Sequence, residues 1–113
     1  MKVVHSDEVP ADVVEQGAEG TTIRWLIARD DGAPNFAMRL FEVAPGGCTP
    51  RHQHDWEHEV FILSGEGVVR TADGDAALTG GSAVFVAPSD DHQFRNTGAE
   101  PLRMLCMIPH VDQ

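Results

Sequence analysis

Three of the six histidines in this 113-residue chain fall within seven positions, in the run Arg51-His52-Gln53-His54-Asp55-Trp56-Glu57-His58-Glu59. His52 and His54 are two apart, so in an extended segment their side chains leave the same face. His58 follows after three intervening residues, room for a tight turn and the start of another strand. Two neutral imidazoles converging on one point, with a third from the next strand, form a chelating geometry for a borderline divalent metal. The alternative is a solvated histidine cluster of the kind found in expression tags. This run lies mid-chain and leads into the apolar stretch Val60-Phe61-Ile62-Leu63, a context that favours the metal.

The rest of the chain has to position that run. Alternating and β-branched stretches point to strands at Thr21–Ile27, Phe36–Val43, Glu59–Leu63, Val68–Thr71, Ala76–Thr79, Ser82–Val86, Gln93–Asn96 and Leu102–Ile108. Lys2-Val3-Val4 reads as a short N-terminal edge strand and residues 6–20 as a surface loop. Pro45-Gly46-Gly47 is expected to stop the second main strand, and Asp73-Gly74 to form a hairpin turn. No stretch keeps a period of 3.6 residues, and no linker or repeat divides the chain. The expected organisation is residues 1–20 as edge strand and loop, and residues 21–113 as one all-β barrel domain.

Charge and cysteine content narrow the partners. A net charge of −10 argues against nucleic acid and anionic membrane surfaces. No apolar run is long enough to span a bilayer, and the N-terminus lacks a signal-peptide pattern, so a cytoplasmic protein is expected. Cys48 and Cys106 are too few for a disulfide framework. No serine or cysteine nucleophile has a motif around it, and the glycine pairs lack the context of a phosphate loop. Several strands are apolar at both parities, as in Val60-Phe61-Ile62-Leu63 and Met104-Leu105-Cys106-Met107-Ile108. In so short a chain the outer face then needs a second subunit, and a two-fold homodimer is the default.

The spacing Gly46, five residues, His52-x-His54, three residues, His58, six residues, Gly65 resembles the first motif of the cupin superfamily. That motif usually has glutamate where this chain has His58. Glu59 is the rival ligand, but counting from Glu59 would require glycine at position 66, which is glutamate. Gly81, Pro88, His92 and Asn96 resemble the second cupin motif, one residue short between proline and histidine and without its usual glycine. Residues 31–41 (DGAPNFAMRLF), with Pro45-Gly46-Gly47 and Trp56-Glu57-His58-Glu59, look like the small single-domain cupins that hold manganese with four histidines.

The resemblance implies a jelly-roll β-barrel, a homodimer, and a metal bound by His52, His54, His58 and His92. It implies manganese, while the donor set also accepts Fe²⁺, Ni²⁺, Cu²⁺ or Zn²⁺. Four neutral imidazoles leave a bound divalent ion its full charge, a strong Lewis acid toward a small-molecule ligand or dioxygen. The expected function is a metal-dependent oxidoreductase of dioxygenase type on a small unsaturated, aromatic or diketone-like molecule. The alternatives are a non-catalytic metal or small-ligand binding module, and a metal-dependent isomerase or lyase. Candidate pocket residues are Arg39, Phe94, Met104, Cys106 and Ile108, with no acid–base residue identified. Arg39 reads equally as an anion-steering residue or an outward arginine, and Cys106 as a redox-sensitive thiol or a small buried hydrophobe. Trp56 reads as core, Cys48 as an idle turn residue, and His5 and His110 as solvated.

Overall fold

A period of two organises the structure, because each strand must bury one face. The last strand shows it plainly: Leu102, Met104, Cys106 and Ile108 are buried, and the residues between them are only half-buried. The computed structural model describes residues 1–110. Its strands are β1 (Asp12–Val13), β2 (Glu19–Ile27), β3 (Phe36–Cys48), β4 (His58–Ser64), β5 (Glu66–Thr71), β6 (Gly74–Thr79), β7 (Ala83–Val86), β8 (Gln93–Asn96) and β9 (Leu102–Pro109). Two single 3-10 turns, at Ser6–Glu8 and Arg29–Asp31, are the only helical elements among the described residues. None of these is long or apolar enough to cross a membrane.

Hydrogen-bonded neighbours run β6-β5-β8-β3-β9-β4-β7, with β2 on β3 and β1 on β2. Every ladder is antiparallel, and the sheet curls into a jelly-roll that encloses its own concave face. Val43, Ile62 and Leu102 are fully buried there, each removal from water contributing roughly 1.5–3 kcal/mol. Asn96 closes the turn after β8: its amide donates to the carbonyls of Val43 and Glu100, both at 2.8 Å, and its oxygen accepts from Gly98 N–H. A buried amide so fully paired adds rigidity, whereas an unpaired one would cost about 1–3 kcal/mol.

Three local expectations are corrected. Lys2-Val3-Val4 forms no strand; the N-terminal edge pairing lies at Asp12–Val13, inside the segment read as loop. The chain does not stop at Pro45-Gly46-Gly47, because β3 continues to Cys48, which pairs with Glu19 and so lies in a strand rather than a turn. The register against β2 shifts between Glu19 and Thr21, and Gly46 takes a φ of +79°, so the glycines form a bulge that bends the strand without ending it. Gly65 is required for a different reason. Its φ is +96°, and a Cβ there would lie 2.6 Å from the Pro101 carbonyl oxygen.

Candidate metal centre

Two non-sheet segments are laced together to build the site. Beyond β3, Thr49 N–H donates to the Phe94 carbonyl, and Phe94 N–H returns to the Thr49 hydroxyl, both at 2.9 Å. Three residues on, His52 and His92 exchange both backbone hydrogen bonds, at 3.1 and 3.0 Å. The Ser89 N–H then donates to the His54 carbonyl. Ser89 has a φ of +71°, a left-handed conformation uncommon outside glycine, in the turn where the usual glycine of the second motif is absent. On the outside Arg51 forks onto Asp91 at 2.7 Å, an exposed pair that solvent screens. His58 arrives from another direction, opening β4 opposite Val86 with its side chain on the buried face of Val60 and Ile62.

This lacing gathers the imidazoles. The ligand nitrogens of His52, His54 and His92 all lie within 4.8 Å of one another. The His58 ring stands one step outside that group, with centroids 5.1 Å from both His54 and His92. His58 is buried, while Glu59 is exposed on the other face of β4. Nitrogens sharing one ion at about 2.1 Å can be no more than about 4.2 Å apart, so small ring movements would bring the set together.

Hydrogen bonding fixes which nitrogens face the gap. A carbonyl can only accept, so His92 donates from Nδ1 to the Asp90 oxygen at 2.9 Å and leaves Nε2 bare. Cys106 Sγ accepts from Arg39 at 2.9 Å and lies 3.3 Å from His58 Nδ1, which donates to the same sulfur in the tautomer that carries its proton on Nδ1. His58 Nε2 is buried and has no partner among the described residues. With its proton on Nδ1, His58 would aim a buried lone pair at the other three imidazoles; a divalent ion would satisfy that nitrogen, and the donor set fits one.

Burial and neighbouring positive fields disfavour protonation of His52, His54 and His58. Burial, then the fields of Arg39 and the other three histidines, holds His58 at about 3. Burial followed by His54, His92 and Arg39 lowers His52 to about 4, and the same kind of influence lowers His54. His52 sits exposed at the rim, so the well-buried His58 carries the argument with more weight. Burial raises the Cys106 thiol, which the nearby Arg39 partly opposes.

The four histidines line a cavity of about 190 Å³. Arg39, Phe94, Met104 and Cys106 are on its wall, and Ile108 is buried in the core beyond it. Arg39 faces inward, between Trp25 and Phe41, rather than outward. Sequence reasoning did not find Val14, Ile23, Phe41 and Thr49 on this wall, since only the β2–β3 register reveals them. Trp56 stacks on His54 at 4.5 Å and 6°, so it supports a candidate ligand besides packing on the core. His110 is tied down, with its Nε2 2.7 Å from the Ala33 carbonyl, and His5 caps the first 3-10 turn.

Residues 39–108 match the model of the cupin domain. The chain belongs to the cupin family. An oxalate-binding protein of Thermotoga maritima is 30% identical over 112 residues, covering 94% of this chain and 92% of the relative. The polyketide cyclase RemF from Streptomyces resistomycificus superposes with a TM-score of 0.90 at 38% identity, covering 96% of this chain and 79% of that one. A 1-methylthio-D-xylulose 5-phosphate methylsulfurylase of Rhodospirillum rubrum is 35% identical over 71 residues, 63% of this cupin but only 46% of the relative. One cupin scaffold thus carries unlike activities, and the site has to decide among them.

The depressed histidines make the metal-free cupin acid-sensitive in a defined window. Unfolded imidazoles take up protons near pH 6.5, while folded His58 and His52 remain neutral to about 3 and about 4. Their contribution to stability is present above about pH 6.5 and is lost as pH falls toward the folded values. The urea midpoint of the metal-free protein should decrease from about pH 6.5 to pH 5, above most carboxylate titrations. His58→Phe should flatten that slope, and a midpoint independent of pH would contradict the neutral cluster.

Proposed function

We propose that this cupin holds one divalent metal on His52, His54, His58 and His92 and acts on a small unsaturated, aromatic or diketone-like molecule. The observation that carries this reading is the convergence of four imidazoles on an apolar-walled cavity, one with a buried, unpartnered Nε2. Manganese is the ion implied by the sequence resemblance. A bound ion would supply Lewis acidity toward a substrate oxygen or dioxygen. The chain's own residues hold the donor nitrogens bare and surround the substrate with Phe41, Phe94 and Met104, which exclude water. Among the described residues no carboxylate lines the cavity, so an isomerase or lyase would have only imidazoles and the Cys106 thiol for proton transfer.

The reaction is of dioxygenase type in our first reading, because the wall offers little acid–base chemistry of its own. The likeness to RemF favours a second reading, ring closure of a diketone-like substrate without oxygen. Manganese- and iron-loaded protein, challenged with catechols and 1,3-diketones in a sealed oxygen cell, separates the two. Oxygen uptake matched to product supports the dioxygenase, and equal turnover under argon supports ring closure. Tight binding without turnover would overturn both and leave a ligand-binding module.

The outer face of the sheet supports a homodimer. Phe61, Leu63 and Phe85 are 43%, 39% and 63% exposed, and Phe61 pairs across strands with half-buried Leu105. Such a contiguous apolar surface favours a second copy related by a two-fold axis. The reduced state of Cys48 and Cys106 suits the cytoplasm. Sedimentation should give twice the 12.3 kDa chain mass, and the double substitution Phe61→Glu, Phe85→Glu should give a monomer with unchanged metal content. A monomeric wild type would contradict the dimer.

A further inference from the structure

Arg39 is the cation on this cavity's wall, and its pairing differs from that of other arginines in the chain. Arg24 and Arg103 both reach Glu42, and Arg51 forks onto Asp91. Arg39 has no carboxylate partner among the described residues. Of its five N–H donors, one is seen in a hydrogen bond, from Nη2 to Cys106 Sγ, a weak acceptor. Its Nε is buried and unpartnered. Trp25 and Phe41 lie 5.5 and 5.0 Å from the guanidinium carbon, so aromatic contacts hold the group in place without neutralising it.

A half-buried guanidinium with a buried, unpartnered Nε is costly unless something completes it. The cavity wall does not do so: among the described residues it bears four imidazoles, one guanidinium and no carboxylate. With the proposed divalent ion bound, the local charge would be strongly positive in a chain whose overall charge is −10. A planar pair of oxygens matches a guanidinium edge better than a single one does. The cavity of about 190 Å³ is smaller than the roughly 300–1,000 Å³ of drug-sized sites, so its ligand is compact. Phe41, Phe94 and Met104 suit an aromatic or otherwise flat apolar body.

From this we infer that the cavity selects a compact carboxylate with an aromatic or apolar body, whose carboxylate docks on Arg39. This deepens the proposed function and rests on its reading of the cavity as the substrate site. Arg39 is then a specificity residue, fixed by Cys106, Trp25 and Phe41, that orients the ligand body toward the imidazoles. The docking step transfers no proton or electron, so it applies to either proposed reaction.

Benzoate and its neutral isostere benzamide are suitable probes, titrated calorimetrically into manganese-loaded and metal-free protein at pH 7.5. Wild type should prefer benzoate by about tenfold or more in both forms, as expected for a charge-assisted pair in a partly desolvated site. Arg39→Gln should erase the preference, and Arg39→Lys should retain part of it. A preference that survives in Arg39→Gln, or is absent from wild type, overturns the inference. The buried Nε–H of wild type offers a readout without substitution: its proton resonance should shift with benzoate and not with benzamide, and an unmoved signal also overturns the inference. Metal content measured on the same samples reports separately on the histidine reading, so the two can fail independently.

Discussion

The reciprocal backbone hydrogen bonds between His52 and His92 hold the site together, and the rest of the structure is arranged to make them form. Residue 52 leaves β3 and residue 92 enters β8, and neither belongs to a named strand. Pairing them antiparallel puts their side chains on one face, with the rings 5.0 Å apart. Flanking bonds from Thr49 to Phe94 and from Ser89 to His54 extend the lace at both ends. The left-handed Ser89 turn is a local strain that this lacing compensates, placing His92 despite a shortened loop.

The sheet supplies what the lace cannot. β4 carries His58 to the same cavity from the opposite direction, and β9 brings Cys106 beneath it. Cys106 then links two parts of the site, since the same sulfur meets His58 and Arg39. A carboxylate in the His58 position would have lowered the charge of any bound ion, and would have opposed Arg39 across the cavity. Four neutral rings and one guanidinium instead make a pocket in which anionic oxygens are favoured. The same fields disfavour protonation of His52 and His58, and the neutral ring is the state that donates a lone pair.

Much of the fold was legible because strand alternation is a local property, written in the period of apolar residues. β2 and β4 through β9 begin or end within a few residues of the stretches that alternation and turn residues marked. Pro45-Gly46-Gly47 was misread because the same residues serve a turn or a bulge, and only the β2 partner distinguishes them. The inward turn of Arg39 was equally illegible: its parity depends on register with Cys106 across a separation of 67 residues. The preference for His58 over Glu59 as candidate ligand rests on the count to Gly65, a position whose φ of +96° favours glycine. Val14 and Ile23 carry no chemical signal, and only folding places them on the cavity wall.

X-ray absorption at the edge of the bound metal tests the central claim most directly, since it counts imidazoles without reference to any reaction. The protein loaded with one equivalent of Mn²⁺ should show four imidazole shells, falling to three in His58→Ala and remaining four in Glu59→Ala. Fewer than four imidazoles in wild type, or loss of a ligand in Glu59→Ala with none in His58→Ala, would contradict the four-histidine centre.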